Sequence, residues 1–197
     1  MNQIPKYIFA LLQCMIISLP PAVIIRIAAY FINRKRNIRT TAFHEIGFLI
    51  FFAVITGIAS LTLLPEFEIN GSGIYIIRSY GASSFSFLPG RIIMMSINQI
   101  SSGRYEYFLI NLVGNIIMFI PVGFLIPLLW RCSGKLTILI GFLSSLSIEL
   151  LQIPLPRCTD IDDLWMNTLG AAIGMLAYFL LNKLLKNHFT HFKVIKE

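Results

Sequence analysis

Charge is scarce in this chain. Only 13% of its 197 residues are Asp, Glu, Lys or Arg, against 56% hydrophobic, and a water-soluble domain of that size has too little interior to hide so much apolar surface. Cysteine is scarce as well: Cys14, Cys132 and Cys158 are too few for a disulfide scaffold. Three catalytic signatures are missing altogether, namely the paired histidines of HExxH zinc sites, a glycine-rich phosphate loop and the GxSxG nucleophile elbow. Ser144, Ser145 and Ser147 have no histidine near them, so soluble-type nucleophilic catalysis has no support. No repeat, low-complexity run or linker divides the sequence. These absences, with a mean hydropathy of +0.77, leave an integral membrane protein, a single membrane domain over residues 1–197 for which no metal or cofactor is expected.

What is present in quantity is apolar sequence in long runs. Crossing about 30 Å of hydrocarbon at about 1.5 Å per helical residue takes about 20 apolar residues. Five stretches meet that need, roughly 7–32, 43–64, 108–130, 136–153 and 164–182. The expected fold is therefore all-α, a polytopic membrane bundle of about five transmembrane helices. The first run is too long for a cleaved signal peptide, contains Pro20 and Pro21, and ends in Arg26 and a basic cluster instead of a small-residue cleavage site. It is expected to remain as a span.

Orientation follows from the basic residues, because basic loops stay in the cytoplasm. Placing the first loop (Arg34, Lys35, Arg36, Arg39) inside also brings in Arg131 and Lys135 of the third-to-fourth turn and Lys183, Lys186, Lys193 and Lys196 of the tail. With Arg26 there are eleven cations on that side against Glu45 and Glu197. Lys6, Arg78, Arg91, Arg104 and Arg157 remain outside with seven acids, so the net +7 divides into +9 within and −2 without. The expectation is N-terminus out and C-terminus in. No nucleic-acid partner is implied by the charge.

Between the second and third spans lies the one sizeable non-spanning piece. Glu66 to Ile69 alternate in polarity, Asn70, Gly71, Ser72 and Gly73 supply turn chemistry, and Ile74 to Ile77 are β-prone, which predicts a small extracytoplasmic hairpin. After Pro89, the spacing of Ile92, Ile93, Met94, Met95, Ile97 and Ile100 predicts an interfacial helix with Arg91 and Asn98 toward water.

The last three spans carry polar groups that lipid would penalise, so these should face the bundle interior or a wet cavity. Asn111 and Asn115 stand at i and i+4, on one helical face. Ser145, Glu149 and Gln152 stand at i, i+4 and i+7, with Glu149 about 6 Å below the outer end. Asp163, Asn167, Gly170 and Gly174 form one stripe starting at the outer surface, with Arg157 and Asp160 in the loop above. Structural roles compete with functional ones: Thr159 and Asp162 read as a capping box, so Asp160 and Asp162 serve equally as caps. Gly114, Gly170 and Gly174 read as close helix contacts, and the three asparagines as interhelical glue. Glu149 is harder to dismiss, since a carboxyl below the interface costs several kcal/mol unless it is neutral, paired with a cation such as Arg157, or hydrated. Arg26 is expected to snorkel at the inner end of the first span, and His44 and Glu45 begin the second at the opposite side from the polar stripes.

These residues also carry a family resemblance. The segments NLVGNIIMFIPVGFLIP, IELLQ and PRCTDIDDLWMNTLGAAIG, preceded by Phe85, Ser86, Phe87, Leu88 and Pro89, are similar to the signature of the VanZ-like family, bacterial membrane proteins named for a teicoplanin-resistance protein. The resemblance covers about residues 85–182, the VanZ-like core of the chain. It implies a multi-pass protein of a bacterial plasma membrane, associated in some members with lower susceptibility to teicoplanin and related lipoglycopeptides, and no established reaction.

Two functions are expected on these grounds. In the first, an outer-leaflet polar site of Asn111, Asn115, Glu149, Gln152, Arg157, Asp160, Asp163 and Asn167 binds a membrane lipid, a lipid-linked wall precursor or a lipoglycopeptide tail. Arg157 then meets an anionic head group and Glu149 balances it. In the second, an intramembrane hydrolase or transferase acts on such a precursor with Glu149 and Asp163 as paired carboxylates. A channel is disfavoured because no polar stripe continues into the inner half of these spans.

Overall fold

The computed structural model describes residues 4–35, 38–63, 66–70, 73–77, 84–86, 88–155, 158–185, 189, 192 and 195–196. In chain order these form α1 (Ile4–Lys35), β1 (Ile38–Arg39), α2 (Ala42–Leu63), β2 (Glu66–Asn70), β3 (Gly73–Ile77), β4 (Ser84–Ser86), α3 (Arg91–Ser101), a π-helical turn (Phe108–Val113) running into α4 (Gly114–Leu129), α5 (Gly134–Gln152), β5 (Cys158–Asp160), α6 (Ile161–Leu184) and β6 (Ile195–Lys196).

Five of the helices are long and apolar enough to cross a membrane: Leu11–Ile32 within α1, Ala42–Leu63, Phe108–Leu129, Gly134–Gln152 and Ile161–Leu184. They match the five expected spans to within a few residues, and the protein is a multi-pass membrane bundle. Mean hydropathy falls to 1.5 and 1.6 in the last two, because those helices carry the polar stripes.

The core is built around α4. Phe119, Val122 and Ile126 of α4 pack with Ile58 of α2 and Ala171 of α6, while Leu125 and Leu128 pack with Tyr178. Glycine lets α4 and α6 approach. A methyl added at Gly170 or Gly174 would overlap the backbone carbonyl of Ile116 or Ile120, and one added at Gly123 would overlap that of Ala171. Gly114 behaves differently. Its nearest neighbour would be the Leu109 carbonyl of its own helical segment at 3.4 Å, so the close-contact expectation holds for Gly170 and Gly174 and fails for Gly114.

α1 is peripheral and lies against α2 along its length. Thr56 donates to Ser18 Oγ at 2.8 Å. Near the other end of α1, Arg26 is paired: its Nε and Nη2 both reach the Glu45 carboxylate at 2.6 Å, and its guanidinium lies 4.4 Å from the centroid of the Phe48 ring. Beside this pair His44 is buried and its Nδ1 lies 2.7 Å from the Phe192 carbonyl.

The non-spanning segments are short. β2 and β3 form the expected hairpin, antiparallel in the register Glu66↔Ile77 to Asn70↔Gly73, and the turn at 71–72 lies outside the described residues. β4 pairs in parallel with β5, Ser86 opposite Asp160, a pairing that no local pattern announces. α3 is amphipathic as expected. Ile92 and Ser96 are buried, while Met94, Ile97 and Asn98 are exposed.

Connectivity gives the bundle two chemically distinct ends. The C-terminal ends of α2 and α5 and the N-terminal ends of α6 and of the span containing α4 gather at one end, together with α3 and the β4–β5 pair. The opposite end collects the Arg26–Glu45 pair and Lys135, Arg131 and Lys183.

Candidate functional site

The polar stripe of α5 organises the first end. One face of α5 buries Thr137, Gly141, Ser145, Glu149 and Gln152, and each of the last three meets a different element. Ser145 Oγ accepts from Asn167 Nδ2 of α6 at 2.9 Å. One turn on, Glu149 Oε2 accepts from the Asp160 backbone N–H at 3.2 Å. Gln152 Nε2 donates at 3.0 Å to the carbonyl of Thr62, one of the last carbonyls of α2, which has no partner within its own helix. Helical geometry thus sets Asn167 about 6 Å below Glu149 along the α5 axis and Gln152 about 4.5 Å above it.

Asp160 caps α6. Its Oδ1 accepts from the Asp162 N–H at 3.1 Å and its Oδ2 lies 3.4 Å from Arg91 Nη1. The expected capping box is therefore replaced: Asp160 takes the N-cap position that the sequence assigned to Thr159. Arg91, expected to point to water, is half-buried against this cap.

Asp162 is released for a different task. It is 0% exposed, and its carboxylate receives the N–H groups of Gly90 at 2.7 Å, Ile92 at 2.8 Å and the Trp165 indole at 2.9 Å. Gly90 is the N-cap of α3 and has no side chain to offer. Asp162 supplies that missing cap from 72 residues away, so the carboxylate of one helix satisfies the first amides of another. Gly90 itself turns the chain into α3 with φ 85, a left-handed conformation that a side chain would strain.

Asp163 accepts from Asn115 Nδ2 across the α4–α6 contact. Asn111 does not join this group: its Nδ2 donates at 3.0 Å to the Tyr107 carbonyl of its own helical segment. Asn111 lies in the π-helical turn Phe108–Val113 and Asn115 at the start of α4, and the two amides, four residues apart, bond to different partners.

Of the predicted site residues, Asn115, Glu149, Gln152, Asp160, Asp163 and Asn167 thus stand on adjoining faces at one end of the bundle, and Arg157 lies outside the described residues. Sequence reasoning missed Ser145 as a partner, Thr62, Arg91 and the clamp role of Asp162. A signal existed for the clamp: Pro89–Gly90 opens a helix with no capping side chain, a vacancy that some acceptor must fill.

Among the described residues three buried side-chain atoms have no hydrogen-bond partner, Gln152 Oε1, Asn167 Oδ1 and Ser96 Oγ. All belong to this end. Each such atom costs about 1–3 kcal/mol if nothing meets it. The Gln152 oxygen is the best defined, because the Thr62 carbonyl can only accept and so fixes the amide nitrogen toward itself. Among the described residues no group of three His, Cys, Asp or Glu is arranged to hold a metal ion.

No curated protein and no solved structure matches this sequence significantly. A family model described as VanZ/LLP1 matches residues 24–182, reaching back through the hairpin and α2 into α1, well beyond the segment that carried the resemblance. With most of its length matched, and with the five spans that its hydropathy required, the chain belongs to the VanZ-like family.

Proposed function

We propose that this VanZ-like protein modulates the bacterial cell envelope, and susceptibility to teicoplanin and related lipoglycopeptides, by holding the head group of a lipid-linked amphiphile in the polar site at the outer face of the plasma membrane. The observation that carries this reading is the burial of Glu149, Gln152 and Asn167, with two side-chain oxygens unpartnered, on a face shared by α2, α5 and α6. A structural network left unsatisfied in an apolar bundle is costly, whereas a binding site awaiting its ligand has a reason to be incomplete. The charge asymmetry of the loops supports an outer location for that end. Arg157 meets the anionic part of the head group in this reading, and Asn115, Asp160 and Asp163 hold the surrounding backbone and side chains in place.

The test uses a Gram-positive host whose teicoplanin susceptibility the parent protein alters. Glu149→Gln and Arg157→Ala are compared with the parent at equal membrane abundance. Both variants are expected to lose the effect, and parent-like susceptibility in both would overturn the site.

A second reading rests on the placement of the Glu149 and Asp163 carboxyls at the same end of the bundle, Glu149 against the N-cap of α6 and Asp163 in its first turn: an intramembrane hydrolase or transferase acting on a lipid-linked precursor, one carboxyl as general acid and the other as base. An Asp163→Asn protein that binds an undecaprenyl-linked precursor but releases no product, beside a parent that does, would select this reading. Absence of turnover by the parent removes it.

A further inference from the structure

The surface of α3 divides three ways. Ile92 and Ser96 lie on one side and are buried. Asn98 and Arg91 lie on a second, Asn98 exposed and Arg91 turned to the Asp160 carboxylate. Ile93, Met94 and Ile97 share the third, an arc of about 100° on a helix that turns about 100° per residue. Met94 and Ile97 are apolar and yet 62% and 61% exposed. A helix resting on a protein in water needs an apolar face for the core and a polar face for the solvent. A second apolar face, turned away from the core, calls for a third environment.

The neighbours of α3 identify that environment. The helix packs on Phe108–Val113, the first turn of a membrane span, whose Leu109 is itself exposed. The Tyr107 hydroxyl, just ahead of that turn, donates to Met95 Sδ at 3.2 Å. At the start of α3, a single oxygen, Asp162 Oδ1, receives both the Gly90 N–H and the Trp165 indole N–H. Trp165 is exposed near the beginning of α6, and an exposed tryptophan at the end of a span sits at the level of the lipid head groups. α3 therefore begins at that depth, with its free apolar edge continuing the lipid-facing surface of the span beside it. A second copy of the chain is a poorer fit, since three side chains by themselves fall far short of the about 800 Å² per partner that a stable protein interface buries.

We propose that α3 is a lipid-docking surface: Ile93, Met94 and Ile97 pack among the acyl chains of the leaflet at the polar-site end of the bundle, and Asp162 sets the depth at which they do so. The carboxylate ties the first amides of α3 to the first turns of α6, so the helix can neither sink past the head groups nor lift into water without breaking that tie. This docking depends neither on which amphiphile the polar site holds nor on which leaflet that end faces.

The experiment measures depth on the full chain in vesicles of phosphatidylethanolamine and phosphatidylglycerol. Met94→Cys, Ile97→Cys and Asn98→Cys, each with Cys14, Cys132 and Cys158 replaced by Ser, carry a nitroxide whose collisions with oxygen and with a water-soluble nickel chelate are compared. Labels at 94 and 97 are expected about 5–10 Å below the head groups and shielded from nickel, whereas the label at 98 should meet it freely. Nickel access at 94 and 97 equal to that at 98 would overturn the docking surface. So would spin–spin broadening at 94 and 97 that disappears on dilution with unlabelled protein, which would give the edge to a second copy. A further measurement needs no substitution: the parent chain is photolysed in vesicles containing a phospholipid with an acyl-chain diazirine. Adducts at Ile93, Met94 or Ile97 are expected and none at Asn98, and a helix without adducts would count against the proposal equally. Asp162→Asn should move the labels at 94 and 97 toward water. Unchanged depth in that variant would refute the role given to Asp162.

Discussion

At the residue scale, the polar groups of this protein divide into those that finish the fold and those that are left open, and Asp162 belongs to the first kind. Its carboxylate closes three N–H groups from two helices and is wholly buried. Asn in its place keeps the shape but turns an amide N–H toward a backbone N–H that previously had an acceptor. The expected cost of Asp162→Asn is about 2 kcal/mol. The loss should be local first, because the clamp joins α3 to the start of α6: hydrogen exchange at residues 90–96 should speed up before α4 or α6 does, and an exchange pattern like the parent's would show that α3 is held by something else. The Arg26–Glu45 pair behaves otherwise. It is bidentate, but the Glu45 side chain is 35% exposed, so solvent screens it and Glu45→Gln should cost only about 1 kcal/mol in thermal unfolding. A loss several times larger would place the pair in a drier setting than its exposure indicates.

At the element scale, the approach of α4 to α6 decides which site residues can meet. Asn115 reaches Asp163 only because Gly170 and Gly174 bring the α6 backbone onto the Ile116 and Ile120 carbonyls. Neither of these backbone atoms can move aside as a side chain would. Gly174→Ala should therefore cost about 3 kcal/mol by overpacking and weaken ligand retention with it. Gly114→Ala is the control: its methyl meets ordinary van der Waals space, and the change should be neutral or stabilising by up to about 1 kcal/mol, since a helical glycine carries an entropic cost. Equal damage from both would mean that the contact is not what matters. The same scale shows why the sequence was legible in part. Spans could be read from hydropathy, and Ser145, Glu149 and Gln152 do share a face because α5 is an unbroken α-helix. Asn111 turns its amide to the Tyr107 carbonyl of its own helical segment and not to α6, a choice of partner that residue periodicity does not announce. The β4–β5 pairing and the Asp162 clamp were beyond reach for a different reason: both are contacts across about seventy residues, and nothing in either segment specifies its partner.

At the scale of the whole molecule, the two ends of the bundle differ in charge. The end with the polar site holds Asp160, Asp162, Asp163 and Glu149 with Arg91 and Arg104, whereas Arg131, Lys135 and Lys183 sit around the connections at the other. Anionic lipid and the insertion machinery both favour cytoplasmic placement of the basic end, which would put the site within reach of head groups in the outer leaflet. Fusions test this directly. A fluorescent protein at the C-terminus should mature and glow, since it does so in the cytoplasm, and alkaline phosphatase at the same position should be inactive. Phosphatase inserted after Gly103, in the exposed turn following α3, should be active. The reverse pattern would move the site to the inner leaflet and sink the lipoglycopeptide reading, because that ligand arrives from outside. Charge also sets how firmly the orientation is held. Replacing Arg34, Lys35, Arg36 and Arg39 by Ser removes four of the eleven cations assigned to the inner side, yet the basic residues around α5 and after α6 remain. The expected outcome is therefore a minority of inverted molecules and not a full reversal. Complete inversion would show that the first basic loop alone decides how the bundle is inserted.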